Sequence, residues 1–228
     1  MINHSARRIN RLAEALGATR YLEIGVEEGR TFFDINIFDR TAVDPNLLFD
    51  YRLTQTDTTH FFKISSDEFF ACHSPSAPFD IIFIDGLHTF EQALRDLLNS
   101  LLFVHERSVI LLDDVWPSDV FSACRSPVEA LQQRHLAGGS DLAWHGDVYK
   151  VVFFIAEMMP SLTYGTIEDG GTRQTVIYRK ARPDFRPEFG SIEKIERLSY
   201  FDFLKRADVM RLGSEESILI QTIADLAD

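Results

Sequence analysis

The stretch YLEIGVEEGRTFF, residues 21–33, decides the fold of this chain. Its first half is a short apolar run that ends at Gly25, and Gly29 lies just before the apparent start of a helix. Continuous apolar runs are typical of strands that are buried on both faces. A strand that passes through a glycine turn into a helix is the place where open α/β sheets bind ligands. The stretch therefore predicts an α/β fold with a ligand site at this turn.

Similar apolar runs recur along the first half of the chain, at residues 41–44, 60–64, 80–85 and 108–113. Helical patterns lie between them, the clearest over residues 90–102, where apolar side chains repeat at helical spacing. Another helix precedes the first strand, with Ser5 as its predicted cap and Gly17 at its end. Strands that alternate with helices predict a doubly wound, mostly parallel sheet.

The second half of the chain follows a different pattern. It predicts helices over residues 127–136 and 148–159, then an antiparallel hairpin of residues 162–168 and 175–179 around Asp169-Gly170-Gly171. Residues 181–190 read as a connector, and a helical tail ends in a helix capped by Ser214. We therefore expect a single domain over residues 1–228, with its core at about 18–180 and a C-terminal helical extension at 181–228.

Composition excludes several classes of protein. With 228 residues, 45% of them apolar and 25% charged, the chain has a globular composition. A formal net charge of −12 opposes binding to nucleic acid or to an anionic membrane, and no apolar run has the length of a membrane span or signal peptide. Cys72 and Cys124 are too few for a disulfide framework and fit a cytoplasmic location. The amphipathic helices at both ends are compatible with a homodimer.

An acidic residue lies at the end of the predicted strand that follows the glycine turn. Asp44 ends the second predicted strand, where a carboxylate can accept hydrogen bonds from the two hydroxyls of a ribose. The glycine spacing is G-x-x-x-G, so the G-x-G-x-x-G fingerprint of dinucleotide-binding proteins is not met. The pattern indicates an adenosine pocket; the alternative is a glycine turn with an unrelated acid at a strand end.

Three carboxylates follow the next two strands. Asp85 closes one strand, and Asp113 and Asp114 close the other, so a parallel sheet would bring them to the same edge. Such hard oxygen ligands suit Mg²⁺ or Mn²⁺, and a cation would offset their mutual repulsion. The alternative is that Asp113 and Asp114 cap the turn before Trp116.

His88 lies three residues after Asp85, where the strand gives way to the long helix. Its imidazole could take a proton from a bound hydroxyl at neutral pH, although a helix cap or a fourth metal ligand are alternatives. The other histidines receive no role. Residues 144–150, WHGDVYK, are interpreted as an ordinary loop in which Asp147 caps a helix, and a lid or acceptor wall is the alternative.

Three motifs together resemble a known family: E-x-G-x-x-x-G from Glu23, V-D-P at residues 43–45 and F-D-x-x-F-I-D-G-x-H from Phe79. They are similar to those of class I S-adenosylmethionine-dependent methyltransferases, above all the small metal-dependent O-methyltransferases that act on sugars and natural products. The resemblance covers about residues 20–117. It implies a Rossmann-like sheet of seven strands whose last hairpin is antiparallel, with extra helices at both ends, and transfer of a methyl group to the hydroxyl of a small molecule.

The resemblance also implies roles for individual residues. Glu23, Gly25 and Gly29 would line the methionine moiety of S-adenosylmethionine, and Asp44 would hold the ribose. Ser66 and Asp67 fall where the family contacts adenine, although capping of the following helix is an equal alternative. Asp85, Asp113 and Asp114 would bind Mg²⁺ or Mn²⁺, Asp85 lying beside the cofactor as well, and His88 would be the base. A metal-independent methyltransferase and a non-catalytic nucleotide- or nucleotide-sugar-binding protein remain alternatives.

Overall fold

A computed structural model describes residues 3–73, 77–183 and 185–227, and its centre is a single mixed sheet in the order β3-β2-β1-β4-β5-β7-β6-β8. The strands are β1 Arg20–Ile24, β2 Asp39–Val43, β3 Thr59–Phe62, β4 Phe79–Ile84, β5 Val104–Leu112, β6 Leu162–Ile167, β7 Gln174–Arg179 and β8 Leu212–Gly213. β7 runs antiparallel to both of its neighbours, and the other pairs are parallel. The predicted doubly wound, mostly parallel architecture and its antiparallel hairpin are confirmed.

Helices cover both faces of the sheet. They are α1 His4–Leu16, α2 Ser66–Cys72, α3 Phe90–Ser100, α4 Pro127–Leu136, α5 Tyr149–Met158, α6 Ile192–Glu196, α7 Tyr200–Lys205 and α8 Glu215–Ala227. Short 3₁₀ turns lie at Phe32–Asp34, Tyr51–Leu53 and Ala207–Met210. In the described part of the chain, none of the helices has the length and apolar character needed to cross a membrane.

The continuous apolar runs arise because the central strands are buried on both faces. Along β4, Ile82 and Ile84 belong to the core beneath α3, α5 and α7, whereas Ile81 and Phe83 belong to the core beneath α1 and α8. Successive side chains of a strand point to opposite faces, so a strand covered on both faces has no polar alternation.

Among the residues that the structure describes, the sheet has eight strands rather than the seven that were predicted. The additional strand, β8, is two residues long and pairs in parallel with β6. It lies within the predicted helical extension, and two residues are too short to produce a periodic pattern. Asp184, within the predicted connector of residues 181–190, lies outside the described residues.

Two predicted helix caps lie at different residues. Asn3, not Ser5, caps α1 by accepting a hydrogen bond from the backbone N–H of Ala6 at 3.0 Å. Ser65, not Ser66 or Asp67, caps α2 in a reciprocal capping box with Glu68. In each case a second residue of a preferred capping type lies one or two positions earlier in the sequence and occupies the cap.

The topology brings four strand ends to one edge. β1, β2, β4 and β5 are parallel, so the residues that follow them lie together at the carboxyl edge of the sheet. This edge therefore holds Gly25, Asp44, Asp85 and the pair Asp113-Asp114.

Candidate functional site

A cavity of about 850 Å³ opens at this edge of the sheet. Its lining includes most of the residues that the sequence singled out: Glu23, Gly25, Asp44, Ser66, Asp85, His88, Asp113 and Asp114. Gly29 and Asp67, which were also predicted to contact the cofactor, are not part of the lining.

The two glycines of the turn have different tasks. Gly25 has a φ of 85°, and a Cβ atom there would lie 1.9 Å from the carbonyl oxygen of Asp85. Only glycine lets the end of β1 pass so close to the end of β4. Gly29 has a φ of 76°, and a Cβ atom there would lie 2.4 Å from the ring of Phe33. Gly29 therefore allows the turn to pack closely against Phe33 and does not line the cavity.

Asp44 fixes the conformation of the glycine turn. Its Oδ2 accepts hydrogen bonds from the backbone N–H groups of Val26 at 2.8 Å and Glu27 at 2.9 Å. Its Oδ1 accepts a hydrogen bond from the N–H of Asn46 at 2.6 Å. A carboxylate offers about four acceptor sites, so Asp44 can accept further bonds from a ligand in the cavity.

Glu23 is a buried carboxyl group on the cavity wall. It is 1% exposed, and its Oε2 accepts a hydrogen bond from the hydroxyl of Tyr21 at 2.6 Å. Burial raises the pKa of Glu23 well above its ordinary value, and the charges of Asp85 and Asp44 raise it further. A cationic group in the cavity would stabilise the ionised form of Glu23.

Ser66 and Asp67 point to different places. The hydroxyl of Ser66 accepts a hydrogen bond from Gln92 at 3.1 Å and lines the cavity. Asp67 forms an exposed ion pair with Arg95, with 3.2 Å between Nε and Oδ1.

Asp96 lies at the same end of the cavity and was not predicted from the sequence. It is 1% exposed, and Gln92 donates to its Oδ1 at 3.1 Å. Its Oδ2 has no hydrogen-bond partner among the described residues. Burial raises the pKa of Asp96 to about 6.

Asp85, His88 and Asp114 form a compact group. The Nε2 of His88 lies 2.9 Å from Oδ2 of Asp114 and 3.6 Å from Oδ1 of Asp85. One ligand atom from each of the three residues lies within 4.8 Å of the other two, a spacing that can hold a metal ion. The donor set, two carboxylate oxygens and an imidazole nitrogen, fits a hard or borderline divalent cation.

Asp113 reaches the same edge but is not part of this group. Its Oδ1 accepts a hydrogen bond from the N–H of Asp114 at 2.8 Å, and its Oδ2 accepts one from Gln174 at 3.0 Å. Burial raises the pKa of Asp113 well above its ordinary value, and the charges of Asp85 and Asp114 add to this effect. The structure thus brings the three predicted carboxylates to one edge of the sheet. The compact group at this edge consists of Asp85, Asp114 and His88, and Asp113 lies beside it.

His88 is held in one orientation by its neighbours. Its Nδ1 lies 3.0 Å from the carbonyl oxygen of Trp144, which can only accept, so this nitrogen carries a hydrogen. The imidazole also stacks on the Trp144 ring, with 4.9 Å between centroids. Burial alone would lower the pKa of His88, but hydrogen bonds to Asp114 and Asp85 raise it to about 11. Burial in turn raises the pKa of Asp85 to about 6.

The loop of residues 144–147 belongs to the site, contrary to its interpretation as an ordinary loop. Trp144 lines the cavity, and a Cβ atom on Gly146 would lie 1.6 Å from the carbonyl oxygen of His88. Asp147 does cap a helix, but this helix is α3: its Oδ1 accepts a hydrogen bond from the N–H of Phe90 at 2.7 Å. His145, which received no role, has its Nε2 3.9 Å from Oδ1 of Asp114.

These contacts could hardly be predicted from local sequence, because Trp144 lies 56 positions after His88. The signal that was available is the WHG triplet, in which a glycine allows close backbone approach beside an aromatic ring.

Comparison with known proteins agrees with this architecture. Residues 22–115 match the sequence model of a family described as a methyltransferase domain. No curated protein matches the chain. The chain is similar in structure to an O-methyltransferase from Bacillus cereus in complex with SAH, with 14% identity, a TM-score of 0.53 and coverage of 79% of this chain and 83% of that one. It is also similar to an SAH-bound methyltransferase from Podospora anserina, with 17% identity, a TM-score of 0.50 and coverage of 79% and 80%.

At such identities the structural likeness shows the fold alone, and the sequence match covers the segment from β1 to the end of β5, including the acidic pair. Residues 22–115 thus resemble a methyltransferase domain in sequence, and the described chain shares the fold of solved methyltransferase structures.

Proposed function

We propose that this protein methylates a hydroxyl group of a small molecule, a sugar or a natural product, with the help of a divalent cation. The observation that carries the proposal is that Asp85, His88 and Asp114 lie in the same cavity as the glycine turn and Asp44. An adenosine-binding turn and a candidate cation site in one cavity are what a metal-assisted methyl transfer requires.

The proposed cofactor contacts follow from the cavity lining. Glu23 and Gly25 would border the methionine moiety, where an ionised Glu23 would attract its ammonium group. Asp44 would accept hydrogen bonds from the ribose hydroxyls, and Ser66 would lie beside the adenine. We assign no cofactor contact to Asp67, because it pairs with Arg95 outside the cavity, and Gly29 would act through the shape of the turn.

Asp85 and Asp114 are the proposed carboxylate ligands of Mg²⁺ or Mn²⁺, and Asp113 remains a predicted third ligand. A bound cation would hold the acceptor hydroxyl, lower its pKa and offset the negative charges around His88.

His88 is the proposed base. Trp144 holds the hydrogen on Nδ1, so Nε2 is the nitrogen that would take up the proton. In this role the cation would bind Asp85 and Asp114 rather than Nε2, and it would offset the negative charges that raise the pKa of His88. The acceptor oxygen would form a bond to the methyl carbon as the bond from this carbon to sulfur breaks, and the hydroxyl proton would pass to Nε2. The sulfonium already activates the methyl group, so the residues around the cavity contribute mainly by holding the two reactants in line.

The proposal is tested by calorimetric titration of S-adenosylhomocysteine into the full-length protein in EDTA, followed by a panel of hydroxylated acceptors with and without Mg²⁺. We expect S-adenosylhomocysteine to bind in EDTA and to lose affinity in Asp44→Asn. Asp67→Asn is the matched control, because its carboxylate lies outside the cavity. Absence of S-adenosylhomocysteine binding would contradict the proposal.

One observation favours a second candidate, a methyltransferase that needs no metal. The Nε2 of His88 lies 2.9 Å from Oδ2 of Asp114, so an acidic hydroxyl that approaches this pair could lose its proton to it without a cation. Methyl transfer that proceeds at the same rate in EDTA would select this candidate.

We further propose a cytoplasmic location and a homodimer. Both cysteines are free, which fits a reducing compartment. The apolar stripes of α1 and α8 are buried within this chain, so a homodimer would have to use another surface. Analytical ultracentrifugation would determine the oligomeric state.

A further inference from the structure

A buried chain of hydrogen bonds joins helix α1 to the acidic group. Arg8 on α1 donates from Nη1 to Oε1 of Gln174 at 2.7 Å, and Gln174 donates from Nε2 to Oδ2 of Asp113 at 3.0 Å. Arg8 and Gln174 are 0% exposed and Asp113 is 8% exposed. Solvent therefore does not compete for these bonds.

The guanidinium of Arg8 determines which end of the Gln174 amide faces Asp113. A guanidinium only donates hydrogen bonds, so it requires the amide oxygen on its side. The amide nitrogen is then left to donate to Asp113 and to the hydroxyl of Ser5, the latter at 2.7 Å. Ser5 and Arg8 are three residues apart on α1 and thus share one face of the helix.

Gln174 in turn fixes the carboxylate that supports Asp114. With its Oδ2 held by Gln174, Asp113 uses Oδ1 to accept the hydrogen bond from the N–H of Asp114. Asp114 has a φ of 56°, a left-handed conformation that a non-glycine residue adopts only when its surroundings hold it there. This conformation directs the Asp114 carboxylate towards His88.

Arg8 itself is anchored on three sides. Its Nε donates to Glu215 of α8 at 2.8 Å, and its terminal nitrogens donate to the carbonyl oxygens of Thr172 and Asp169, each at 2.7 Å. These two carbonyls belong to the connection between β6 and β7, and Thr172 lines the cavity. These bonds hold the Arg8 guanidinium in place, and its hydrogen bond to Gln174 therefore holds the Gln174 amide in one orientation.

We propose that Arg8 and Gln174 are positioning residues of the cation site, through which helix α1 sets the affinity of this site for a divalent metal. The inference rests on the proposed function, because it needs the cation at Asp85 and Asp114. Partners one shell away from a metal ligand typically change metal affinity by about 10- to 100-fold.

The test compares three single variants of the full-length protein, and the double variant of Arg8 and Gln174, by Mn²⁺ binding measured by electron paramagnetic resonance. Gln174→Met keeps the side-chain length and removes the donor to Asp113, and Arg8→Met removes the group that orients the amide. Arg7→Met is the matched control, because Arg7 also pairs with Glu215 but donates to Gly170 rather than to Gln174.

We expect Mn²⁺ affinity to fall by about 10- to 100-fold in Gln174→Met and in Arg8→Met. The double variant should lose little more than either single variant, since both act through one contact to Asp113. Arg7→Met should bind Mn²⁺ as the wild type does. Affinity for S-adenosylhomocysteine should stay unchanged in all variants, which a general loss of structure would not allow. Gln174→Met carries the test by itself if Arg8→Met does not fold.

A second measurement separates this inference from the proposed function. Hydrogen exchange of the Asp114 amide, read in a peptide that covers residues 113–116, should be faster in Gln174→Met and in Arg8→Met but not in Arg7→Met. Wild-type protein that binds no Mn²⁺ would contradict the proposed cation site, and the exchange rates would still decide whether Arg8 and Gln174 hold Asp113. Unchanged Mn²⁺ affinity together with unchanged exchange would overturn the inference.

Discussion

At the scale of single residues, the site depends on which atom of each side chain is already engaged. The carbonyl oxygen of Trp144 engages Nδ1 of His88 and leaves Nε2 towards the acidic group. Gln174 and the N–H of Asp114 engage both oxygens of Asp113 and so separate its role from that of Asp114. Residue types alone do not contain this information, and for this reason Asp113 and Asp114 are equivalent in the sequence but not in the structure.

His88→Gln should lower kcat by about 10²- to 10⁴-fold, the usual contribution of a positioned base, because glutamine cannot take up the proton. Binding of S-adenosylhomocysteine should be unchanged. The measurement is steady-state kinetics with the acceptor that the titration identifies. His60→Gln is the control, since His60 lies on β3 outside the cavity lining. A variant at position 88 that retains wild-type kcat would exclude His88 as the base.

Substitution of the three aspartates by asparagine distinguishes a ligand from its support. Asp85→Asn and Asp114→Asn should lose more Mn²⁺ affinity than the roughly 10- to 100-fold expected for a supporting residue. Asp113→Asn should stay within that range if Asp113 acts by holding the N–H of Asp114. Mn²⁺ titration followed by electron paramagnetic resonance measures all three. An equal loss in the three variants would instead confirm the sequence-based prediction that Asp113 is a direct ligand.

Asp96 should make folding depend on pH in the direction opposite to most carboxylates. Its folded-state pKa of about 6 lies above its ordinary value of 3.8, so the folded state binds the proton more tightly than the unfolded state does. The contribution of Asp96 to the free energy of unfolding is therefore most favourable below pH 4, and it is lost as pH rises from about 4 to 6. At about 1.4 kcal/mol per pKa unit, the loss amounts to about 2–3 kcal/mol at neutral pH.

Asp96→Asn should accordingly be more stable than the wild type above pH 6 by up to this amount, and the difference should disappear near pH 4. Urea unfolding between pH 4 and 8 measures it. Asp67→Asn, which replaces an exposed carboxylate by the same amide, is the matched control. A constant difference across this range would contradict the assigned cause.

At the scale of elements, sequence periodicity predicted the helices and strands that are long and whose pattern depends on neighbouring residues alone. Helix α5 and the hairpin of β6 and β7 were identified within a residue or two of their observed ends, because their patterns extend over whole elements. Local pattern failed where the partner is distant or the element short. Asp147 caps α3 across 57 residues, and β8 has only two residues. The meeting of the carboxylates at the strand ends was predictable from parallel topology. The contacts of Trp144 and Arg8 with the site were not, because these residues lie on a loop and on a terminal helix whose positions the strand pattern does not determine.

Asp147→Ala tests the distant cap. The change removes the acceptor for the N–H of Phe90 and leaves the buried ammonium of Lys150, 3.0 Å from the Asp147 carboxylate, without this partner. A lost cap costs about 0.5–2 kcal/mol and a broken buried ion pair about 3–5 kcal/mol, so we expect the unfolding free energy to fall by about 3.5–7 kcal/mol. Urea unfolding measures the loss.

Ser65→Ala is the matched control for this variant, because it removes a local cap at α2 without breaking an ion pair. It should cost only about 1 kcal/mol. Similar losses in the two variants would show that Lys150 does not depend on Asp147.

At the scale of the whole molecule, the fold keeps the proposed cofactor and cation subsites in one cavity but on different strands. Asp44 follows β2, whereas Asp85 and Asp114 follow β4 and β5, with β1 between the two groups in the sheet. A ligand that binds only the folded state stabilises it by an amount that its concentration and dissociation constant determine, about 2.7 kcal/mol at one hundred times the dissociation constant. Saturation of the two subsites should therefore raise the unfolding free energy in two separable steps.

Because the two subsites are separate, we expect each of two variants to lose the stabilisation by one ligand and to retain the stabilisation by the other. Asp44→Asn should lose the stabilisation by S-adenosylhomocysteine and retain that by Mn²⁺, because the Asp44 oxygens contact the glycine turn and not the acidic group. Asp114→Asn should show the reverse. Thermal unfolding of each variant, compared with the same variant without ligand, measures both steps and cancels the intrinsic effect of the substitution. If either variant loses both steps, the two subsites are not independent, and the transfer would then depend on a cation that helps to bind the cofactor itself.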